Sequence, residues 1–215
     1  MINQTFNRIV KGKSIALIGG SDTIDWPGII SCELQARVND HQSWQGGRCD
    51  ILYYSCASDL RHKVLSNILN GHTSEVKFGW LNFTHTLFNG SDFFQAKAVF
   101  DQLGIPRDIY FHGPPQVWTQ VKQLNPLPKK YKWSKEISEM IDGHAFTGLL
   151  ALGNLLLYDI SCVVVTGMNF FREKDGTIPK RAGAHNIANQ IKLLKILSKD
   201  KRVILDHNLL EIINK

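Results

Sequence analysis

Three short segments of this 215-residue chain carry residue types that can hold an anion and move a proton. Lys13 to Asp25 starts as an apolar, β-branched run and stops at Gly19-Gly20-Ser21-Asp22. A buried strand that ends in glycines turns backbone N–H groups toward an anion such as a phosphate. Thr147-Gly148 opens an apolar helical stretch, so the N–H groups and positive dipole end of a helix terminus are available to the same kind of charge. His185 precedes an amphipathic segment, and an imidazole that titrates near neutral pH suits a general base. Oriented N–H groups with a base nearby can hold a departing phosphate while a hydroxyl loses its proton. No Asp-x-Asp occurs, which disfavours a metal-bridged diphosphate donor.

The same residues also have plain structural uses. Gly-Gly-Ser is an ordinary tight turn, and His185 could cap a helix or lie on the surface. His144, close before Thr147, could steady a phosphate or mark the entry to a helix. His112, in Phe-His-Gly-Pro-Pro, could face a cleft and touch an acceptor. His41, His62, His72, His85 and His207 have no neighbour in sequence that completes a metal site, so they are expected at the surface.

Positioning these groups falls to an alternation of short strands and helical stretches. Strands are expected at Lys13–Ile18, Leu34–Val38, Cys49–Ser55, Val76–Phe83, Asp108–Phe111, Cys162–Thr166 and Val203–Leu205. Helices are expected from Ser58 to about Asn70, from Ser91 or Asp92 to Leu103 ahead of Gly104, and over Trp118–Leu124, Trp133–Ile141, Phe146–Tyr158 and Ala184–Ser198. Ile187, Ile191, Leu194 and Leu197 give the last of these one buried face, and Leu209–Ile213 closes the chain as a helical turn. Such alternation implies an α/β fold with a mostly parallel sheet flanked by helices. Ligands in these folds gather at the carboxyl ends of strands, near the switch in strand order. Gly19-Gly20-Ser21, Asn39, Ser55 and Gly167 to Phe171 all follow strands and are therefore candidates for one cleft.

Bulk properties narrow the class. A chain of this length can bury about 70% of the surface its unfolded form exposes, and no linker divides it, so one domain spanning 1–215 is expected. No segment approaches the ~20 apolar residues of a membrane span, and the first residues lack a secretion signal. Cys32, Cys49, Cys56 and Cys162 lie in or beside apolar segments without zinc spacing, so buried free thiols in a soluble intracellular protein are expected. The net charge of +6 favours an anionic partner. Lys129 to Lys135 interleaves lysines with Tyr131 and Trp133, as a single-strand nucleic-acid surface does, but a solvated loop beside Pro126 and Pro128 is the preferred reading.

Three blocks resemble the conserved motifs of the animal-type sialyltransferases, glycosyltransferase family 29. Ile15 to Asn39 resembles their large sialylmotif, with its glycine turn and a later Arg-x-Asn at Arg37-Val38-Asn39. Ala145 to Phe170 resembles the small sialylmotif, and His185 with Gln190 resembles the very short motif, a His followed five residues later by Glu. The chain departs from the pattern at Gly20, where the family usually has Asn, and at Gln190. Ser14 replaces the Cys that pairs with one in the small motif, and Phe170 to Ala184 lacks the histidine of a further block.

The resemblance implies a Rossmann-like, GT-A-variant single domain. Its implied activity is metal-independent, inverting transfer of sialic acid or a related keto sugar such as Kdo from a CMP-activated donor to a glycan or glycolipid acceptor. His185 is then the base, and Gly19, Gly20, Ser21, Asn39, Thr147, Gly148 and His144 bind the nucleotide, with Asn39 on phosphate or ribose. The CMP-sugar is a substrate, so no cofactor is expected. Without the stem and anchor of the animal enzymes, the chain is expected to be cytoplasmic and of bacterial or viral origin. Rival readings are a pyrophosphokinase-like or adenosyl-methionine-dependent α/β transferase, and a basic nucleic-acid-binding protein.

Overall fold

A computed structural model describes residues 2–21, 26–39, 48–55, 76–82, 90–110, 132–170 and 185–214. Its strands are β1 (Ser14–Ile18), β2 (Leu34–Val38), β3 (Ile51–Tyr54), β4 (Phe78–Asn82), β5 (Arg107–Tyr110), β6 (Cys162–Thr166) and β7 (Val203–Leu205). Its helices are α1 (Gln4–Val10), α2 (Trp26–Ile30), α3 (Gly90–Gln102), α4 (Lys132–Ile141), α5 (Thr147–Leu155), α6 (Ile187–Leu197) and α7 (His207–Asn214). The strands form one sheet in the order β5-β4-β3-β2-β1-β6-β7. Every pairing in it is parallel.

The chain winds from β1 out to β5 and then returns to place β6 on the other side of β1. The direction of winding therefore reverses between β1 and β6, which opens a crevice at their carboxyl ends. Ile18 is in register with both Arg37 and Thr166, so Gly19 and Gly167 leave the sheet side by side and Asn39 leaves it one residue further along, level with Gly20.

Both faces of the central strands are covered, which is why they read as continuous apolar runs. Ile15 and Leu17 point into a core shared with Ala36, Val163, Val165 and α5. Ala16 and Ile18 point to the other face, against Val164, Ile29 and Cys32. All residues of α5 are buried, and Gly153 in that helix has a reason: a Cβ there would lie 2.3 Å from Ile137 Cδ1 of α4.

Several boundaries differ from expectation. α1 was not expected; Asn3 caps it by accepting the Phe6 N–H at 2.9 Å, and Phe6 anchors it against Phe78, Trp80 and Tyr158. α2 was also unexpected, with Pro27 in its first turn, where a missing N–H costs nothing. α6 starts at Ile187 rather than Ala184 because Asn186, at φ 43°, is its cap. The closing turn is a full helix, since Asp206 accepts the Leu209 N–H at 2.8 Å. α3 ends as expected, with Gly104 left-handed at φ 64° and the Ile105 N–H returning to the Phe100 carbonyl at 2.9 Å.

Far from the crevice, at the amino end of β3, the buried Asp50 carboxylate meets Arg48 and Lys77, each at 2.8 Å, and accepts the Gln35 N–H at 2.9 Å. Cys32, Cys49 and Cys162 are free thiols, and burial pushes Cys49 up to about 12. Among the described residues no helix is long and apolar enough to cross a membrane. The expected helices at Ser58–Asn70 and Trp118–Leu124, together with Cys56, His41, His62, His72, His85, His112 and Lys129 to Tyr131, lie outside the described residues.

Candidate active site

The turns that leave β1 and β6 are laced together. Gly19 donates its N–H to the Thr166 carbonyl and Ser21 donates its N–H to the Gly167 carbonyl, both at 2.8 Å. A Cβ on Gly19 would lie 2.3 Å from the Gly167 oxygen, so only glycine allows this approach. Gly167 itself is left-handed at φ 69°. Two of the turn's N–H groups are thus used within the protein, and the Gly20 N–H is the backbone donor that the turn can offer an anion.

The N-terminus of α5 lies against the same turn. A Cβ on Gly148 would sit 2.5 Å from Met168 Cε, and one on Gly19 would sit 2.8 Å from Met168 Cγ. One methionine side chain therefore spans the two glycine segments and brings them together. Phe146 caps α5 without a side-chain hydrogen bond, so the N–H groups of the first turn at Thr147 and Gly148 retain their capacity for an anion.

His185 reaches this helix end from the other side. Its Nδ1 lies 3.0 Å from the His144 carbonyl oxygen, and its ring stacks on Phe146 at 4.8 Å with an interplanar angle of 15°. A carbonyl only accepts, so Nδ1 carries the proton and Nε2 the lone pair. Burial holds the imidazole below the usual histidine range, against the opposing pull of the His144 carbonyl. A neutral ring with an oriented lone pair is the form a general base requires. The His144 ring stands 5.9 Å from that of His185.

Two further features fix the rim. Asn39, at φ 57°, accepts the Ser55 N–H on Oδ1 at 2.8 Å and donates its own N–H to Tyr53 at 2.8 Å, tying the exits of β2 and β3. Its Nδ2 is then the group available to a ligand. Arg37 turns inward instead, with 2% of its surface exposed and Nε donating to the Arg48 carbonyl at 2.9 Å. Phe170 is buried at φ 53°, edge-on to Phe146 at 5.6 Å. A bulky residue in that conformation stores strain of the kind found at functional sites.

The expected residues of β1, α5 and the His185 segment thus converge on the strand switch. No protein-family model matches the chain, and no curated protein matches its sequence. Among solved structures, an α-2,3-sialyltransferase from Campylobacter jejuni in apo form aligns with 100% of this chain and 84% of its own, at TM-score 0.53 and 12% identity. The fold is sialyltransferase-like. A variant of the sialyltransferase CST-II in complex with CMP aligns with 88% of this chain and 80% of its own, at TM-score 0.49 and 13% identity.

Within this sialyltransferase-like fold, Met168 falls in the Gly167 to Phe171 stretch expected at the cleft, whereas residue types alone did not reveal Gln190 or Phe146 as parts of the site. A signal for Gln190 existed. It occupies the Ile187, Ile191, Leu194 face of α6, where a polar side chain must find partners. His207, by contrast, is exposed beside Glu211 at 3.0 Å, and among the described residues no cluster of His, Cys, Asp and Glu could hold a metal ion.

Proposed function

We propose that this protein is a metal-independent, inverting glycosyltransferase that moves sialic acid or a related keto sugar such as Kdo from a CMP-activated donor to a hydroxyl of a glycan or glycolipid. The observation that carries this reading is the His185 ring, neutral and held through Nδ1 on the His144 carbonyl, at the N-terminus of α5. The likeness in fold to an α-2,3-sialyltransferase and the resemblance of the three sequence blocks support the choice of donor.

In this mechanism Nε2 of His185 takes the proton of the acceptor hydroxyl as its oxygen attacks the anomeric carbon. The bond from that carbon to the phosphate oxygen breaks with its electron pair, and CMP departs with the added negative charge. The N–H groups of Gly20, Thr147 and Gly148 hold that charge, and N–H groups fixed by the fold need no reorganisation as it develops. The Ser21 hydroxyl, Gly19, His144 and Asn39 Nδ2 complete the nucleotide site.

Thermal stabilisation by a panel of cytidine, uridine, guanosine and adenosine phosphates and adenosyl-methionine tests the proposal. At about a hundred times its dissociation constant a ligand adds roughly 2.7 kcal/mol, a rise of about 5–10 °C for a chain of this size. A rise with CMP is expected. A rise only with adenosyl-methionine or a purine nucleotide overturns the proposal in favour of another transferase class.

A further inference from the structure

Gln190 lies fully buried on the apolar face of α6, and every polar atom of its side chain is engaged. Oε1 accepts the Phe146 N–H at 2.8 Å. Nε2 donates to the His144 carbonyl at 2.7 Å and to the His185 carbonyl at 2.5 Å. These partners fix the orientation of the amide, because the reverse would set its oxygen against two carbonyls and its NH₂ against an N–H. The His144 oxygen also receives Nδ1 of His185 at 3.0 Å. One carbonyl therefore takes protons from both side chains.

We infer that Gln190 is a positioning residue, whose amide locks the backbone of His144, Phe146 and His185 into one unit and so keeps the His185 proton on Nδ1 and the lone pair on Nε2. The inference rests on the reading of His185 as the base. It deepens that reading by assigning the tautomer to a residue that touches no substrate. It also explains a departure from the motif the chain resembles. A carboxylate only accepts, so an ionised Glu at 190 would face two carbonyl oxygens, whereas this backbone arrangement calls for two donated protons and one accepted.

The test is heteronuclear NMR on the full chain labelled with ¹⁵N at histidine and glutamine. In the wild-type protein His185 shows the Nδ1–H tautomer, and both Nε2 protons of Gln190 exchange with solvent at least about a hundredfold more slowly than those of an exposed amide. Exchange of either proton at the exposed rate overturns the inference, without any variant being made. In Gln190→Glu, nearly isosteric, the Nε2–H tautomer of His185 becomes populated while the circular dichroism spectrum is retained. A folded variant with an unchanged tautomer overturns the inference; if the variant does not fold, the wild-type exchange rates decide alone. None of these readouts uses a donor or an acceptor, so they stand even if no sugar transfer is found. Where transfer is measured, Gln190→Glu lowers kcat roughly tenfold to a hundredfold with the donor KM unchanged, and an unchanged kcat counts against the positioning role.

Discussion

Nδ1 of His185 lies 3.0 Å from the carbonyl oxygen of His144, 41 residues earlier in the chain. His144 stands three residues before Thr147, the first residue of α5, so the bond places a proton acceptor beside a set of helix N-terminal donors. The proposed base and the proposed anion site are thus held by one short piece of backbone.

Removing the imidazole should separate chemistry from binding. His185→Ala is expected to lower transfer by about 10²–10⁴-fold, the usual contribution of a general base, while thermal stabilisation by CMP stays close to that of the wild type. Single-turnover assays with a CMP-sugar measure the first and thermal melts the second. Unchanged turnover would remove His185 from the mechanism.

The depressed imidazole also sets a pH dependence of stability. Burial makes the folded protein bind this proton less tightly than the unfolded chain, whose histidine titrates near 6.5. The stability this ring contributes is therefore present in full above about 6.5 and is lost as pH falls through the lower, folded value. Urea unfolding at pH 7.5 and pH 5 should show a smaller acid loss in His185→Ala than in the wild type. An equal loss in both would show that the ring is not held neutral.

The centre of the sheet was legible because burial on both faces writes β1, β3 and β6 as uninterrupted apolar runs ended by turn residues. α1 and α2 were not, for lack of length. α1 buries only Phe6 and Val10, a pattern too short to show a period, and α2 contains Pro27 and Gly28 within five residues. In the site, His185 and Thr147-Gly148 could be found from residue type and resemblance. Gln190 was visible only as a mismatch to Glu, because two of its three partners lie 44 and 46 residues away. Gly19 and Gly148 stand out in the sequence as anion-site candidates, but crowding by the Gly167 carbonyl and Met168 accounts for their lack of a side chain before any phosphate is considered.

Asn39 carries two burdens that substitution can separate. Asn39→Gly keeps the left-handed backbone and loses only the bond to the Ser55 N–H, at about 1–3 kcal/mol. Asn39→Ala adds the roughly 1–2 kcal/mol that a Cβ costs in that conformation. The order of stability should be wild type, Gly, Ala in urea unfolding, and both variants should bind CMP more weakly. A variant with full CMP affinity would leave Asn39 as a turn residue alone.

Asp50 provides a control at the opposite end of the sheet. Asp50→Ala leaves Arg48 and Lys77 without their shared carboxylate and the Gln35 N–H without its acceptor. Losing one member of a buried ion pair costs about 3–5 kcal/mol. Both cations are nearly half exposed, so a value near 3 is expected. The melting temperature should fall while the rise produced by CMP persists, and loss of that rise would link the two ends of the sheet.

Gly19 and Gly148 should respond differently to a methyl group, because one would strike backbone and the other the end of a flexible side chain. Gly148→Ala places its Cβ 2.5 Å from Met168 Cε, a clash that displacement of the thioether can relieve. Over-packing of this kind costs about 1–3 kcal/mol, against a gain of up to about 1 kcal/mol for Ala over Gly within a helix. In a Met168→Ala background the clash is gone and only the gain remains, so the same substitution should change sign. Gly19→Ala meets the Gly167 carbonyl at 2.3 Å and should remain destabilising in both backgrounds. A four-variant cycle in urea measures the coupling at Gly148; a cost independent of Met168 would show that this contact does not dictate the glycine. The doubly substituted protein then asks a second question. If it is stable yet no longer stabilised by CMP, the glycine at the start of α5 is needed for close approach of the phosphate as well as for packing. If CMP still binds, packing against Met168 is the whole reason for Gly148.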